Sequence, residues 1–260
     1  DRRIQMRIDH QALFKPITKG TFSFSEGQVS QLLAQALAIA GDEPPGPVHL
    51  DFPEDVALAS GAEEWNHAIE GKLLADCSES IAQALSQALH KSQRPLVVTG
   101  LTFARHNNSD KLLQFIERQK IPFVSTLHGK GFLPESHLNW AGVIGRARRT
   151  DIKRFTAQAD LIIGVGYDPI EMNYEEWVGQ TPVIHISTEP AEDDGSITFI
   201  WNQSCNFDAA VTAMAKAPPV SNIWSVEDWR EHRMSFDRAL RPAGSQFAAH
   251  HVLDILREKL

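Results

Sequence analysis

The sequence predicts an α/β fold: a doubly wound, Rossmann-like parallel sheet of about six strands, flanked by partial α/β segments. Three observations carry this expectation. Short continuous apolar runs rich in β-branched residues, such as L-I-I-G-V at 161–165, fit strands covered on both faces. These runs alternate with segments whose apolar residues recur at helical spacing, over roughly 140 residues. Glycine or a polar residue closes the runs at their carboxyl ends, where open α/β sheets bind ligands.

The elements follow in order. Residues 12–20, A-L-F-K-P-I-T-K-G, hold a proline and a closing glycine and predict a loop or extended connection. Val29, Leu32, Leu33, Ala36, Leu37 and Ile39 predict a helix over 27–40, with Gly41 just past its end. P-P-G-P-V-H-L-D-F-P at 44–53 is a turn leading into a strand over 48–52. Periodicity then fades and charge rises from 57 to 75, as in a linker. A helix over 78–90 precedes a strand over 96–99, and a helix over 109–120 precedes a strand over 121–126. Short strands are expected at 141–145, 160–165, 182–187 and 197–201, with helices over 150–157 and 207–215. Pro218 and Pro219 open a second linker, which carries Trp224, Trp229 and a charged helix to about 240. An amphipathic helix begins after Pro242. The resulting division is 1–60, a partial α/β segment; 61–75, a linker; 76–216, the Rossmann-like domain; 217–242, a linker; and 243–260, a first helix of something further.

Composition excludes several classes of function. Net charge is −8, from 25 Lys+Arg against 33 Asp+Glu, which offers no basic face for nucleic acid. No apolar run approaches the roughly 20 residues of a membrane span. Two cysteines, Cys77 and Cys205, make neither a metal-ligand spacing nor a disulfide framework. A reduced, cytoplasmic setting is the expectation. The chain opens on Asp1 and stops at Leu260 inside an amphipathic pattern, so a piece of a longer protein is expected.

Candidate chemistry collects at strand ends. Gly100-Leu101-Thr102 stands where backbone N–H groups hold phosphates, although G-x-G-x-x-G and Walker A patterns are absent. A tight turn without a ligand explains it equally well. Ser125–Lys130 leaves another strand end, where Thr126 and His128 are candidate ligand contacts and Lys130 a candidate anion partner; a solvated surface loop is the alternative. Gly166, Tyr167, Asp168 and Glu171 follow the 160–165 strand, and Ser187 ends the 182–187 strand. Arg146, Arg148, Arg149 and Lys153 cluster at an expected helix start and suit a phosphate or carboxylate; a solvated helix start is the commoner explanation, although basic residues there run against the helix dipole. No zinc spacing occurs, and His250-His251 point apart on a helix. No G-x-S-x-G elbow or base-paired cysteine marks an acyl-transfer nucleophile.

Three blocks in register carry a resemblance. The first is F-K-P-I-T-K (14–19), A-L-A-I-A (36–40) and G-P-V-H-L-D-F-P-E-D-V (46–56). The second is I-P-F-V-S-T-L-H-G-K-G-F-L-P-E-S-H (121–137). The third is A-D-L-I-I-G-V-G-Y-D-P-I-E (159–171), followed by Trp177 and V-I-H-I-S-T-E-P (183–190). In this order they resemble thiamine-diphosphate enzymes of the acetolactate synthase type.

The resemblance implies a parent with pyrimidine-binding, central and diphosphate-binding domains. Residues 1–60 would be the end of the first, 76–216 the second and 243–260 the opening helix of the third. Thiamine diphosphate and magnesium would then be bound outside this chain, and the chain alone would be inactive. The parent would decarboxylate a 2-oxo acid and ligate the product to a carbonyl, as a homodimer or homotetramer with the missing domains. Lys19 matches a T-K element near the substrate entrance, and Arg146 is a second candidate there. The flavin-dependent branch holds FAD with strand-end glycines and an arginine-bearing R-F-D-D-R segment. Here that segment reads Y-D-P-I-E, without arginine, which puts FAD in doubt and leaves it an open alternative. The cofactor-facing candidates are Gly100, Leu101, Thr102, Thr126, His128, Gly166, Tyr167, Asp168, Glu171 and Ser187. Two other readings stay open: a stand-alone module binding FAD, NAD or ADP, and a subunit-contact domain.

Overall fold

The structure, a computed structural model, describes residues 8–59, 61, 64, 65, 68, 69, 71–145, 149–172, 178–241 and 247–259. The chain forms two compact units, Asp1–Leu73 and Leu74–Leu260.

The first unit runs α1 (His10–Phe14), a 3-10 turn (Lys15–Ile17), β1 (Thr21–Ser23), α2 (Val29–Gly41), β2 (His49–Asp51) and α3 (Glu54–Leu58). Asp9 starts α1 by accepting the Ala12 N–H at 2.9 Å, which satisfies a donor that a helix start otherwise leaves free. Strands β1 and β2 pair in parallel, Thr21 opposite His49, so the helix between them is the crossover a parallel pair requires. Helix α2 buries Ala34 and Ala36. Glu54 and Asp55 in the first turn of α3 complement the positive end of its dipole.

The second unit is built on a six-stranded parallel sheet. Helix α4 (Ser78–Lys91) leads to β3 (Pro95–Thr99), α5 (Leu101–Arg105), α6 (Ser109–Gln119), β4 (Phe123–Thr126) and β5 (Trp140–Ile144). Helix α7 (Arg149–Thr156), β6 (Leu161–Val165), a 3-10 turn (Pro169–Met172), β7 (Val183–Ser187), β8 (Phe199–Ser204) and α8 (Phe207–Ala215) follow. Spatial order is β5-β4-β3-β6-β7-β8. The chain moves outward from β3 to β5, then restarts at β6 on the other side of β3. This is the doubly wound arrangement, with its switch point between β3 and β6.

Each residue of β3, β6 and β7 is buried, which explains why apolar residues dominate these strands. Burying each such aliphatic side chain contributes about 1.5–3 kcal/mol. Helices α4, α6 and α8 pack together, with Ile81, Leu85, Leu112, Phe115, Phe207 and Val211 in the core. Asp160, just before β6, accepts from the Ser92 hydroxyl and from the Gln93 and Arg94 backbone N–H groups at 2.5–2.9 Å. Partial burial opposes its charge, yet these three donors hold the carboxyl below its usual range.

One stretch departs from expectation. Residues 217–242 read as a linker, but Trp224 and Trp229 lie in the sheet's core. Trp224 Nε1 donates to the Pro95 carbonyl at 2.8 Å, and Trp229 Nε1 donates to the Leu138 carbonyl at 2.7 Å. Helix α9 (Val226–Leu240) packs on β5 and α7. Prolines at 218 and 219 mark a turn toward the sheet and not an exit from it. The final strand also lies later than expected, at Phe199–Ser204, paired with β7 in parallel. Helix α10 (Ala249–Lys259) closes the described chain and buries none of its residues. Among the described residues, no helix is long and apolar enough to cross a membrane.

Candidate functional site at the switch point

The carboxyl ends of β3, β4 and β6 converge on one side chain, Glu171. Its Oε1 accepts the Leu101 N–H at 2.9 Å and the Asp168 N–H at 3.0 Å. Its Oε2 accepts the Thr126 hydroxyl at 2.6 Å. The side chain is only 4% exposed, and His128 Nδ1 stands 3.7 Å from Oε2. Three donors for one buried carboxylate satisfy the demand that burial makes on a charged acceptor.

The local sequence explains the convergence. After β6, Gly166 takes φ +60°, a conformation that L side chains rarely adopt. The chain thereby turns back over β3, and Thr102 N–H donates to the Gly166 carbonyl at 3.0 Å. A Cβ at Gly166 would stand 2.1 Å from the Phe103 nitrogen. One at Gly100 would meet Glu171 Oε1 at 2.4 Å and the Gly166 carbonyl at 2.6 Å. Both glycines permit close approach, but what approaches is the chain itself. Asp168 then accepts the Ile170 N–H at 2.9 Å, and the Glu171 N–H returns to the Asp168 carbonyl at 3.0 Å. That 3-10 turn aims Glu171 inward.

A second layer holds the turn. Tyr167 is buried, and its carbonyl faces His185 Nε2 at 2.6 Å. His185 Nδ1 faces Asn202 Oδ1 at 3.0 Å. The Asn202 orientation is set by Ala191, whose N–H donates to Oδ1 and whose carbonyl accepts from Nδ2, both at 2.8 Å. Burial pushes the His185 pKa below 6.5, against upward pulls from the Tyr167 carbonyl, Asn202 and Asp168. The sequence reading passed over this histidine. Its one visible signal is a polar residue between Ile184 and Ile186 in a fully buried strand.

The structure thus brings together Gly100, Leu101, Thr102, Thr126, His128, Gly166, Tyr167, Asp168 and Glu171. Ser187 does not join them. It is buried at the end of β7, and its carbonyl accepts the Cys205 thiol at 3.3 Å. Burial, with the nearby Cys77 thiol, pushes the Cys205 pKa up to about 12 despite that bond, so this cysteine stays a thiol near neutrality. Lys19 lies in the first unit, where its ammonium donates to the Asp42 and Pro44 carbonyls at 2.8 and 3.1 Å. Those contacts tie it to the chain leaving α2. Lys130 pairs with the Glu135 carboxylate. Arg146 and Arg148 lie outside the described residues, as does the side chain of Arg149.

A groove of about 1450 Å³ runs beside the edge strand β5, walled by α9 and α10, with His128 and Glu171 at one end. Its cations are largely engaged. Arg230 pairs with Glu227, Arg241 with Asp237 and Asp254, and Arg233 donates to the His137 and Glu135 carbonyls. Among the described residues, no three His, Cys, Asp or Glu side chains stand close enough to hold a metal ion. A dinucleotide at the switch point needs free backbone N–H groups for its phosphates. The Leu101 and Asp168 N–H groups are already bonded to Glu171, so the described residues do not fit FAD.

Comparison with known proteins places this architecture. Residues 82–200 match the profile of "Thiamine pyrophosphate enzyme, central domain". The acetolactate synthase isozyme 2 large subunit of Escherichia coli (strain K12) is 30% identical over 191 residues, 71% of this chain and 34% of that protein. Oxalyl-CoA decarboxylase of the same organism is 28% identical over 202 residues, 73% of this chain and 34% of that protein. In fold, benzoylformate decarboxylase from Polynucleobacter necessarius superposes with a TM-score of 0.65 at 19% identity, covering 82% of this chain and 41% of that one. The chain spans about a third of the length of the curated relatives it matches.

Proposed function

We propose, from the membership of residues 82–200 in the thiamine pyrophosphate enzyme central-domain family, that this chain is the middle of a 2-oxo acid decarboxylase or carboligase. In this reading, residues 1–60 complete a pyrimidine-binding domain and 61–75 link it to the central domain over 76–216. Residues 217–242 lead onward, and 243–260 open a diphosphate-binding domain. Thiamine diphosphate, when bound, supplies carbanion stabilisation for decarboxylation. Its magnesium and its activating carboxylate belong to residues outside this chain.

The single observation that carries the reading is the family match, together with relatives of which this chain covers only a third. What the chain's own residues do is structural. The sheet is a rigid support, and the Glu171 turn ties three of its strand ends together. Lys19 and Arg146 remain the candidates for the substrate entrance. The parent is read as a cytoplasmic homodimer or homotetramer. Apolar side chains on α10, among them Val252, Leu253, Ile255 and Leu256, are exposed and suit burial against a missing domain.

Calorimetry on the 260-residue chain with thiamine diphosphate and magnesium should show no binding. The same protein joined to its upstream and downstream sequence should bind the cofactor and consume a 2-oxo acid. Tight magnesium-dependent binding by the chain alone would overturn the reading, as would flanking sequence lacking a glutamate-bearing strand upstream and G-D-G…N downstream.

A further inference from the structure

The switch-point crevice has the geometry of a dinucleotide fold but already holds a charged group. We infer that Glu171 is a built-in anion that occupies the place of a ligand phosphate, so that this central domain is closed to dinucleotides such as FAD. The inference concerns the crevice alone and does not depend on the thiamine diphosphate reading.

Four observations converge. The carboxylate accepts both backbone N–H groups that flank the switch point, at 2.9 and 3.0 Å, and a buried hydroxyl at 2.6 Å. Its carrier turn is held by hydrogen bonds, from the Ile170 N–H to Asp168 and between His185 and the Tyr167 carbonyl. The glycines that would admit a pyrophosphate bring β3 and β6 ends into contact, leaving 2.4 Å between a Gly100 Cβ and Glu171 Oε1. A phosphate entering from the groove would meet a carboxylate at close range, and like charges repel strongly where water is excluded. Two described cations near the groove are already engaged: Lys130 is paired with Glu135, and Arg233 donates to backbone carbonyls. Glu171 is therefore a specificity-determining residue by exclusion, a repulsive element rather than a missing attractive one.

The test uses the 260-residue chain with FAD and, separately, ADP, each to about 1 mM, the weak limit of useful affinity. Heats of binding and the amide resonances of Leu101 and Asp168 are followed. No binding is expected. A nucleotide that binds without moving these amides sits elsewhere and leaves the carboxylate in place, which also supports the inference. Binding that shifts the Leu101 and Asp168 amides overturns it. In parallel, Glu171→Ala should speed hydrogen exchange at these two amides by at least about tenfold, since each loses a charge-assisted bond. Should that variant not fold, Glu171→Gln gives the same readout at about threefold, because a neutral oxygen is the weaker acceptor. Exchange unchanged in the variant would show that the carboxylate does not hold these groups.

Discussion

Buried His185 and half-buried His232 give the residue scale its clearest consequence. His232 stacks on Phe155 with ring centroids 4.5 Å apart, and its Nε2 is buried with no partner in hydrogen-bond geometry. Burial pushes its pKa below 6.5, against smaller upward pulls from Asp151 and the Ala141 backbone. His185 is lowered too, again by burial first. For both, the unfolded chain takes up the proton before the folded one does. Their stabilising effect is therefore complete above pH 6.5 and declines as pH falls through the folded values. Urea midpoints should drop between pH 7.5 and 5.5, each histidine contributing at most about 1.4 kcal/mol per pH unit. His232→Phe should keep the stacked ring and flatten part of that slope. An unaltered pH dependence in the variant would rule out His232 as a contributor.

At the scale of elements, α9 is the informative case. It begins with a reciprocal capping box, in which the Ser225 hydroxyl accepts the Asp228 N–H while Asp228 accepts the Ser225 N–H. It then inserts Trp229, 1% exposed, against β5. Arg233 lies 5.1 Å over the Trp140 ring, and Arg94 lies 5.0 Å over Trp224, so this segment is fastened at several points. Ser225→Ala should cost about 1 kcal/mol through the lost cap. Trp229→Ala should cost about 3–5 kcal/mol through the cavity and the unpaired Leu138 carbonyl. Chemical denaturation reads both. A Trp229→Ala variant as stable as the parent would return residues 217–242 to the status of a linker.

The whole molecule divides into unequal units. The second contains the extended core around six strands, whereas the described part of the first buries only Phe24, Ala34 and Ala36 among its apolar residues. In that unit Leu13, Ile17, Phe52 and Leu58 are exposed. A two-stranded sheet is marginal in water without further cover, so the first unit should unfold first. Far-ultraviolet circular dichroism, which senses both units, should begin to change at lower urea than the emission of buried Trp201, Trp224 and Trp229. Coincident transitions by the two probes would mean one cooperative unit.

The sheet was legible from the sequence because its signal is local. Leu161–Val165 is apolar throughout and Val183–Ser187 carries Val183, Ile184 and Ile186, because both faces are covered, and each run announces itself without reference to any other. The glycines at 100 and 166 were legible as places of close approach for the same reason. What approaches them was not. Glu171 reaches Thr126 and Leu101 across 45 and 70 residues of chain, and no pattern within a window of that sequence encodes the meeting. Trp229 and the Leu138 carbonyl, 91 residues apart, make the same point for a segment that composition alone marked as a linker. The sequence by itself determined a parallel, doubly wound sheet with glycine-lined strand ends, since burial and backbone conformation leave periodic and positional traces. Only the tertiary structure decided that a carboxylate of the chain occupies those ends. A hydrogen bond between distant residues depends on the path of the whole chain, and that path is set by packing.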